Sequence, residues 1–367
     1  MFIYERKRWP KFIWDEAPVL SRLLDVRYRQ GLLLGKMKEI GFELRRESCL
    51  TVMTSDVTQS SAIEGELLNH DSVRSSIASR LGIEISKTVV SDDKTEGIVS
   101  MALDSTQNFG ESLTAKRLYG WHAGLFTTGY SGIDQIRVGA WRKKDAGVMK
   151  VFSGAMGKEK THFIAPNHSK VSHEMKLFID WSNGEANIDC ILKSAIAHLW
   201  FVTIHPFEDG NGRIARAIAD LFLARSDNSA ERFYSMSAQI EKERKHHYNI
   251  LEQTQKGGLD VSEWMFWYMN CLERAIKGSD LMLDKVLNKA RIWKIVNQHT
   301  VNERQRKIIN RLLDDFEGNL TTSKYAKICK CSQDTALRDI KVLINIGLLK
   351  ALEGGGRSTT YALDDSL

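Results

Sequence analysis

The sequence predicts a mainly α-helical protein with small β-hairpins, and three observations predict it. Only 4 of the 367 residues are proline while 43% are hydrophobic, so long stretches can form helices and bury a sizeable core with few enforced breaks. Apolar residues recur at helical spacing: Ile214, Ala217, Ile218, Leu221 and Phe222 stand at i, i+3, i+4, i+7 and i+8, one face of an amphipathic helix. Strand-like runs are confined to two short regions, 136–166 and 348–363.

Composition narrows the class. A chain of this length suggests two or three domains at about 100–200 residues each. The net charge of +6 and a pI near 8.9 permit a nucleic-acid partner without requiring one. No run approaches the roughly 18 apolar residues that span a bilayer. Arg6-Lys7-Arg8 leads into Trp9-Pro10-Lys11 and not into an apolar segment, so no signal peptide is expected. The five cysteines, at 49, 190, 271, 329 and 331, are odd in number and scattered. Cys329 and Cys331 lack a second ligand pair, which argues against zinc and for a reducing cytoplasm.

Residues 1–92 are expected to form an N-terminal helical domain. Leu20, Leu23 and Leu24 begin an apolar stripe, prolonged by Leu32, Leu33, Leu34, Met37 and Ile40 until Gly41. Further on, Ser60 and Glu64 are four apart and so share a helical face, and Gly65 is a natural terminator. Taken alone, that segment reads as an exposed helix carrying a glutamate.

The core is expected over 93–290. Leu113, Leu118, Trp121, His122 and Leu125 suggest a helix near its start. Ile136–Arg142 and Val148–Phe152 have strand character, and the glycine-bearing stretch 153–160 separates them from Thr161–Pro166, a hairpin signal. Gly154–Lys158 lacks the full spacing of a phosphate loop. His162, His168 and His173 fit no metal template and read as exposed polar side chains.

One window concentrates the chemistry. Ile191–Phe201 reads as a buried helix that Pro206 ends near His205. Gly210 and Gly212 allow successive N–H groups to converge on an anion where the next helix begins. Asp209 is a hard ligand suited to a magnesium ion bridging phosphates, and Arg213 and Arg216 offer planar forks for outer phosphates. His205 is the residue of the window whose ordinary pKa suits a general base at neutral pH. The implied reaction transfers a phosphorus-containing group to a hydroxyl.

His205 to Arg216 resembles, at every defined position, the Fic (Fido) signature His-x-Phe-x-Asp/Glu-Gly-Asn-Gly-Arg-x-x-Arg. The resemblance implies a Fic helical core acting as a protein adenylyltransferase, moving AMP from ATP to a Ser, Thr or Tyr hydroxyl of a target protein. It makes His205 the base and Asp209 the magnesium ligand. Gly210, Asn211 and Gly212 become the phosphate cradle, with Arg213 and Arg216 on the outer phosphates. Ser60-x-x-x-Glu64-Gly65 then resembles the inhibitory motif of that family, in which the glutamate pairs with the second arginine, here Arg216, and occupies the γ-phosphate place. Its upstream position is similar to the class with an N-terminal inhibitory helix. The hairpin resembles the family's flap, which aligns a target segment as an added strand. Tyr248 and Gln255 loosely match positions that enclose the adenine.

From 291 to 367, Gln305–Phe316, Thr322–Ile328 and Ser332–Ile346 read as three helices after a helical linker at 280–300, followed by strands at Leu348–Leu352 and Thr359–Leu363 across Gly354–Arg357. They resemble a winged helix-turn-helix, with Gln333, Arg338 and Lys341 on the recognition helix and Arg357 on the wing, so DNA is a candidate partner. The expected protein is cytoplasmic, without membrane contact, with a homodimer burying the inhibitory helix as one arrangement. Two alternatives stay open: transfer of another phosphorus-containing group, and a DNA-binding regulator with a nucleotide-sensing core. Removal of AMP by the same site is also open.

Overall fold

A computed structural model describes residues 1–85, 88–143, 147–153, 160–184, 188–313, 316, 318–352 and 359–364, apart from the side chains of 281, 282, 285, 286 and 290. The chain divides into two compact units, Met1–Asp280 and Leu281–Leu367. Residues 1–92, expected as a domain of their own, pack within the first.

A 3-10 turn at Ile3–Glu5 precedes α1 (Glu16–Glu39). α1 buries Val19, Leu23, Val26, Gln30, Leu33 and Met37 and leaves Leu20, Leu24, Tyr28 and Leu32 exposed. Of the expected stripe, Leu23, Leu33 and Met37 are buried while Leu20, Leu24 and Leu32 face outward. The buried face runs through Val19, Leu23, Val26, Leu33 and Met37, with Gln30 among them donating its amide to Ser226 Oγ at 3.1 Å. Gly41 precedes α2 (Phe42–Ile63), which ends with Glu64 as C-cap and Gly65 at φ +81°. Side-chain caps from Asn69, Asp92 and Thr114 open α3 (His70–Leu81), α4 (Asp93–Gln107) and α5 (Ala115–Leu125).

Two small antiparallel pairs follow, β1 (Tyr130–Ser131) with β2 (Asp134–Gln135), and β3 (Lys150–Ser153) with β4 (Lys160–Ile164). Residues 136–142 are irregular, not a strand. Gly139 takes φ +65° there and donates its N–H to His122 Nδ1 at 3.1 Å, while Arg142 turns inward to 3% exposure. The phosphate-loop look-alike at 154–158 lies outside the described residues. His162 is not free in solvent: its Nδ1 lies 2.6 Å from Glu252 Oε2. His168 starts α6 (His168–Asn183), half-buried, and His173 is exposed on it.

α7 (Cys190–Ile204) is the axis of the unit, with every residue from Ile191 to Ile204 buried. A helix apolar all round belongs in the middle of a helical packing. It pairs with α8 (Asn211–Asp227), which is buried from Ile214 to Ala224. α6 packs on α7, while α4, α5 and α2 pack on α8. α9 (Met236–Lys242) supports α2, and α10 (Arg244–Gln255) lies beside β4. Trp264, Trp267, Tyr268 and Leu272 of α11 (Ser262–Val296) are core residues.

The second unit has its own core. α12 (Glu303–Leu313), β5 (Leu320–Thr321), α13 (Thr322–Cys329), α14 (Gln333–Asn345), β6 (Leu349–Ala351) and β7 (Thr360–Leu363) surround Ile308, Tyr325, Ile340, Leu343 and Leu349. The strand order is β5-β7-β6, so a short strand before α13, unread in the sequence, joins the expected pair. Gly354–Arg357, expected at the hairpin tip, lies outside the described residues. Among the described residues no helix is long and apolar enough to cross a membrane.

Candidate active site

Pro206 stops α7, and His205 caps it in the left-handed region at φ +52° while donating its N–H to Phe201 at 3.0 Å. Its ring Nδ1 lies 3.1 Å from the Val202 carbonyl. A carbonyl can only accept, so Nδ1 carries the proton and Nε2 keeps its lone pair. Burial is the main force lowering the His205 pKa. The Val202 carbonyl opposes it, the Arg142 charge adds to it, and Asp209 and Glu64 pull back upward. The ring is thus a neutral base at physiological pH.

The loop after His205 is clamped from both sides. Asn211 spends its side chain on Phe207, with Nδ2 donating to the carbonyl at 2.9 Å and Oδ1 accepting from the amide at 3.0 Å. Phe207 is fully buried and stacks on His122 at 4.2 Å between ring centroids. Burial pushes the His122 pKa down to about 4. Gly210 takes φ +77°, and a Cβ there would lie 2.8 Å from Phe126, so the turn requires glycine on both counts.

α8 then begins at Asn211 with free N–H groups at a positive dipole end. The Glu64 carboxylate sits there. A Cβ on Gly212 would fall 2.2 Å from Glu64 Oε1, and Arg216 Nη2 donates to that oxygen at 2.9 Å. Arg216 is 4% exposed and also donates to Ser60 Oγ at 2.9 Å and the Ser60 carbonyl at 2.8 Å. Arg213 donates to Glu66 Oε2 at 2.7 Å, and Glu66 also pairs with Lys94. Asp209 accepts from Gly210 N at 2.6 Å and from the Ser131 hydroxyl.

The structure thus brings together His205, Asp209, Gly210, Asn211, Gly212, Arg213, Arg216, Ser60, Glu64 and Gly65. Tyr248 stands at the edge, half-exposed, its hydroxyl donating to the Ile63 carbonyl at 3.3 Å. Gln255 is 4% exposed and its amide donates to Thr203 Oγ1 of α7 at 3.2 Å. No group of three or more metal-ligating side chains occurs among the described residues. Asp209 is a single hard carboxylate, one oxygen on the Gly210 amide and the other on the Ser131 hydroxyl, a donor type that suits a magnesium ion drawing its remaining ligands from phosphate and water.

Sequence reading missed Glu66, His122, Ser131 and Arg142 as parts of this site. Glu66 lies two residues past Glu64, and its spacing was the available signal. His122 read only as a helical residue and Arg142 as part of a strand. Their roles come from tertiary contacts with no local pattern.

Residues 112–223 match the Fic/DOC family model and residues 2–83 match a domain of unknown function, DUF4172. The chain therefore contains a Fic/DOC family domain. It is 47% identical over 65 residues to protein adenylyltransferase fic-1 of Caenorhabditis elegans, covering 17% of this chain and 12% of that protein. It is 29% identical over 101 residues to a probable protein adenylyltransferase of Aquifex aeolicus, covering 28% and 29%. The matched segments are thus under a third of these relatives' lengths. A Fic family protein from Desulfovibrio desulfuricans superimposes with a TM-score of 0.55 at 17% identity over 96% of this chain and 98% of that one. A Fic domain-containing signaling protein from Bacteroides thetaiotaomicron gives 0.53 at 18% over 71% and 96%. The fold is a Fic fold.

Proposed function

We propose that this chain is an autoinhibited protein adenylyltransferase, moving AMP from ATP to a Ser, Thr or Tyr hydroxyl of a target protein. One observation carries the reading: the Glu64 carboxylate occupies the α8 N-terminus and holds Arg216, an anion standing where an outer phosphate belongs. With Glu64 withdrawn, the N–H groups of the Gly-Asn-Gly turn and the two arginines receive the triphosphate. His205 Nε2 takes the proton from the target hydroxyl, whose oxygen bonds to the α-phosphorus as the bond to pyrophosphate breaks. Asp209 would hold a magnesium ion, which supplies charge neutralisation between the phosphates. The β3–β4 hairpin would present an edge for the target segment, and Tyr248 would flank the adenine.

We also read the second unit as a winged helix-turn-helix that binds duplex DNA. It holds 15 Lys and Arg against 10 Asp and Glu, so five of the six net positive charges lie in it. Asp339, an acid on α14, is buried and spent on Arg304, Asn302 and Tyr325. The solvent face keeps Gln333, Arg338 and Lys341 exposed. Replacing Arg338 and Lys341 by alanine is expected to weaken duplex binding and to reduce its salt slope by about one for each phosphate that the altered side chains no longer reach.

The test of the catalytic reading incubates wild type, Glu64→Gly, and Glu64→Gly with His205→Ala with magnesium, cell lysate as target, and ATP labelled on the α-phosphate. Label on protein with Glu64→Gly alone supports AMP transfer, inhibition by Glu64 and His205 as base. Label from γ-labelled ATP instead supports phosphate transfer. No label from either ATP points to the regulator.

A further inference from the structure

Arg142 is a buried cation, 3% exposed, with no carboxylate within ion-pair distance among the described residues. Its neighbours are carbonyls. Nε donates to His205 O at 2.7 Å, Nη2 to Pro166 O at 2.5 Å and Ile204 O at 3.4 Å, and its own backbone N–H to Pro206 O at 2.9 Å. Three consecutive carbonyls, Ile204, His205 and Pro206, thus converge on one residue. They are groups that the end of α7 leaves without helical partners, at its negative pole. The fourth, Pro166, follows β4 of the hairpin. Burying an unpaired guanidinium is costly, and burial lowers the Arg142 pKa to about 10. A simple surface loop has no need of it.

The residue so held is His205, a non-glycine residue in the left-handed region, a conformation that persists only where the surroundings enforce it. The ring's Nδ1 meets the Val202 carbonyl on α7, and the charges that act on it are Asp209 in the loop, Glu64 at the end of α2, and Arg142. The two carboxylates favour the charged ring. Arg142 opposes them.

We propose that Arg142 is the positioning residue of the catalytic base: its guanidinium, donating to the Ile204, His205 and Pro166 carbonyls, fixes the left-handed turn that aims His205. This rests on the reading of His205 as base. The same contacts link the hairpin end at Pro166 to the catalytic turn, so the target-binding edge and the base share one anchor.

The experiment compares Glu64→Gly with Glu64→Gly, Arg142→Gln and Glu64→Gly, Arg142→Lys. The His205 ring is titrated by NMR in histidine-labelled protein, assigned through His205→Ala, and label transfer is followed against pH. Arg142→Gln is expected to move the His205 midpoint and the acid limb of the rate upward together. It should cost about tenfold or more in kcat, with KM for ATP within about twofold. Arg142→Lys keeps the charge and reaches fewer carbonyls, so the midpoint is held while kcat falls. An unmoved midpoint in folded Arg142→Gln protein, or full kcat in Arg142→Lys, overturns it. If the Glu64→Gly parent transfers no label, the adenylyltransferase reading fails, and the ring titration still decides whether Arg142 governs His205.

Discussion

At the scale of single residues, His205 is set up by burial more than by any one partner. Its pKa is lowered, so the base form persists below the ordinary histidine range near 6.5. Glu64→Gly also removes a carboxylate that favours the charged ring. Transfer by that variant is therefore expected to hold its rate as pH falls past 6.5 and to be lost only at the lowered pKa, which a pH–kcat profile reads directly. His205→Ala in the same background should lose about 10²–10⁴-fold in kcat. These side chains were legible because type and spacing carried the chemistry: a histidine before proline, an acid, two glycines and two arginines in a dozen positions. Arg142 and Gln255 were not legible. A buried arginine on carbonyls and a glutamine bracing a threonine look the same in sequence as exposed ones.

At the scale of elements, α2 and α8 form the pair on which the proposed inhibition rests. Ser60 and Glu64 meet Arg216, and one turn back Asp56 accepts from Ser235 Oγ at 2.6 Å and Ser237 N at 3.2 Å, fastening the same face of α2 to the start of α9. The restraint continues past the helix. Glu66 takes Arg213 as Glu64 takes Arg216, so both guanidinium groups of the loop are occupied by carboxylates from one short segment. Glu64→Gly alone is then expected to leave Arg213 engaged. Adding Glu66→Gln should raise label transfer about fivefold at subsaturating ATP, corresponding to roughly 1 kcal/mol for a partly exposed ion pair. An unchanged rate would assign Glu66 to holding Lys94 and nothing more. The helices at this site announced themselves through periodicity and punctuation. The 136–142 segment misled because its apolar residues alternate like a strand while a left-handed glycine and an inward arginine break it.

At the scale of the molecule, the buried histidines shape acid sensitivity. His122, near 4, and His247, near 3, are joined by His198 and His205, all lowered chiefly by desolvation. Each is neutral in the fold and protonates on unfolding below its ordinary pKa, so the unfolded state gains protons and stability falls as pH drops below about 6.5. Asp220 and Asp227 act in the opposite direction, since burial raises their pKa values while Arg232 pulls them back down. Four histidines against two acids leave a net loss. Thermal denaturation from pH 7 to 5 is expected to show a falling Tm, and a flat profile would contradict it. The mainly helical class could be read from few prolines and clear periodicity. The packing of residues 1–92 within Met1–Asp280 could not, because it rests on contacts between residues far apart in the chain, such as Gln30 on Ser226.

Whether Glu64 stands in the place of an outer phosphate is tested most directly by the crystal structure of Glu64→Gly with magnesium and a non-hydrolysable ATP analogue. A terminal phosphate oxygen is expected about 3 Å from Arg216, at the position of the present Glu64 carboxylate, with the α-phosphate facing His205 Nε2. A nucleotide bound elsewhere, with Arg216 still held by Ser60 and no phosphate at the α8 N-terminus, would contradict it.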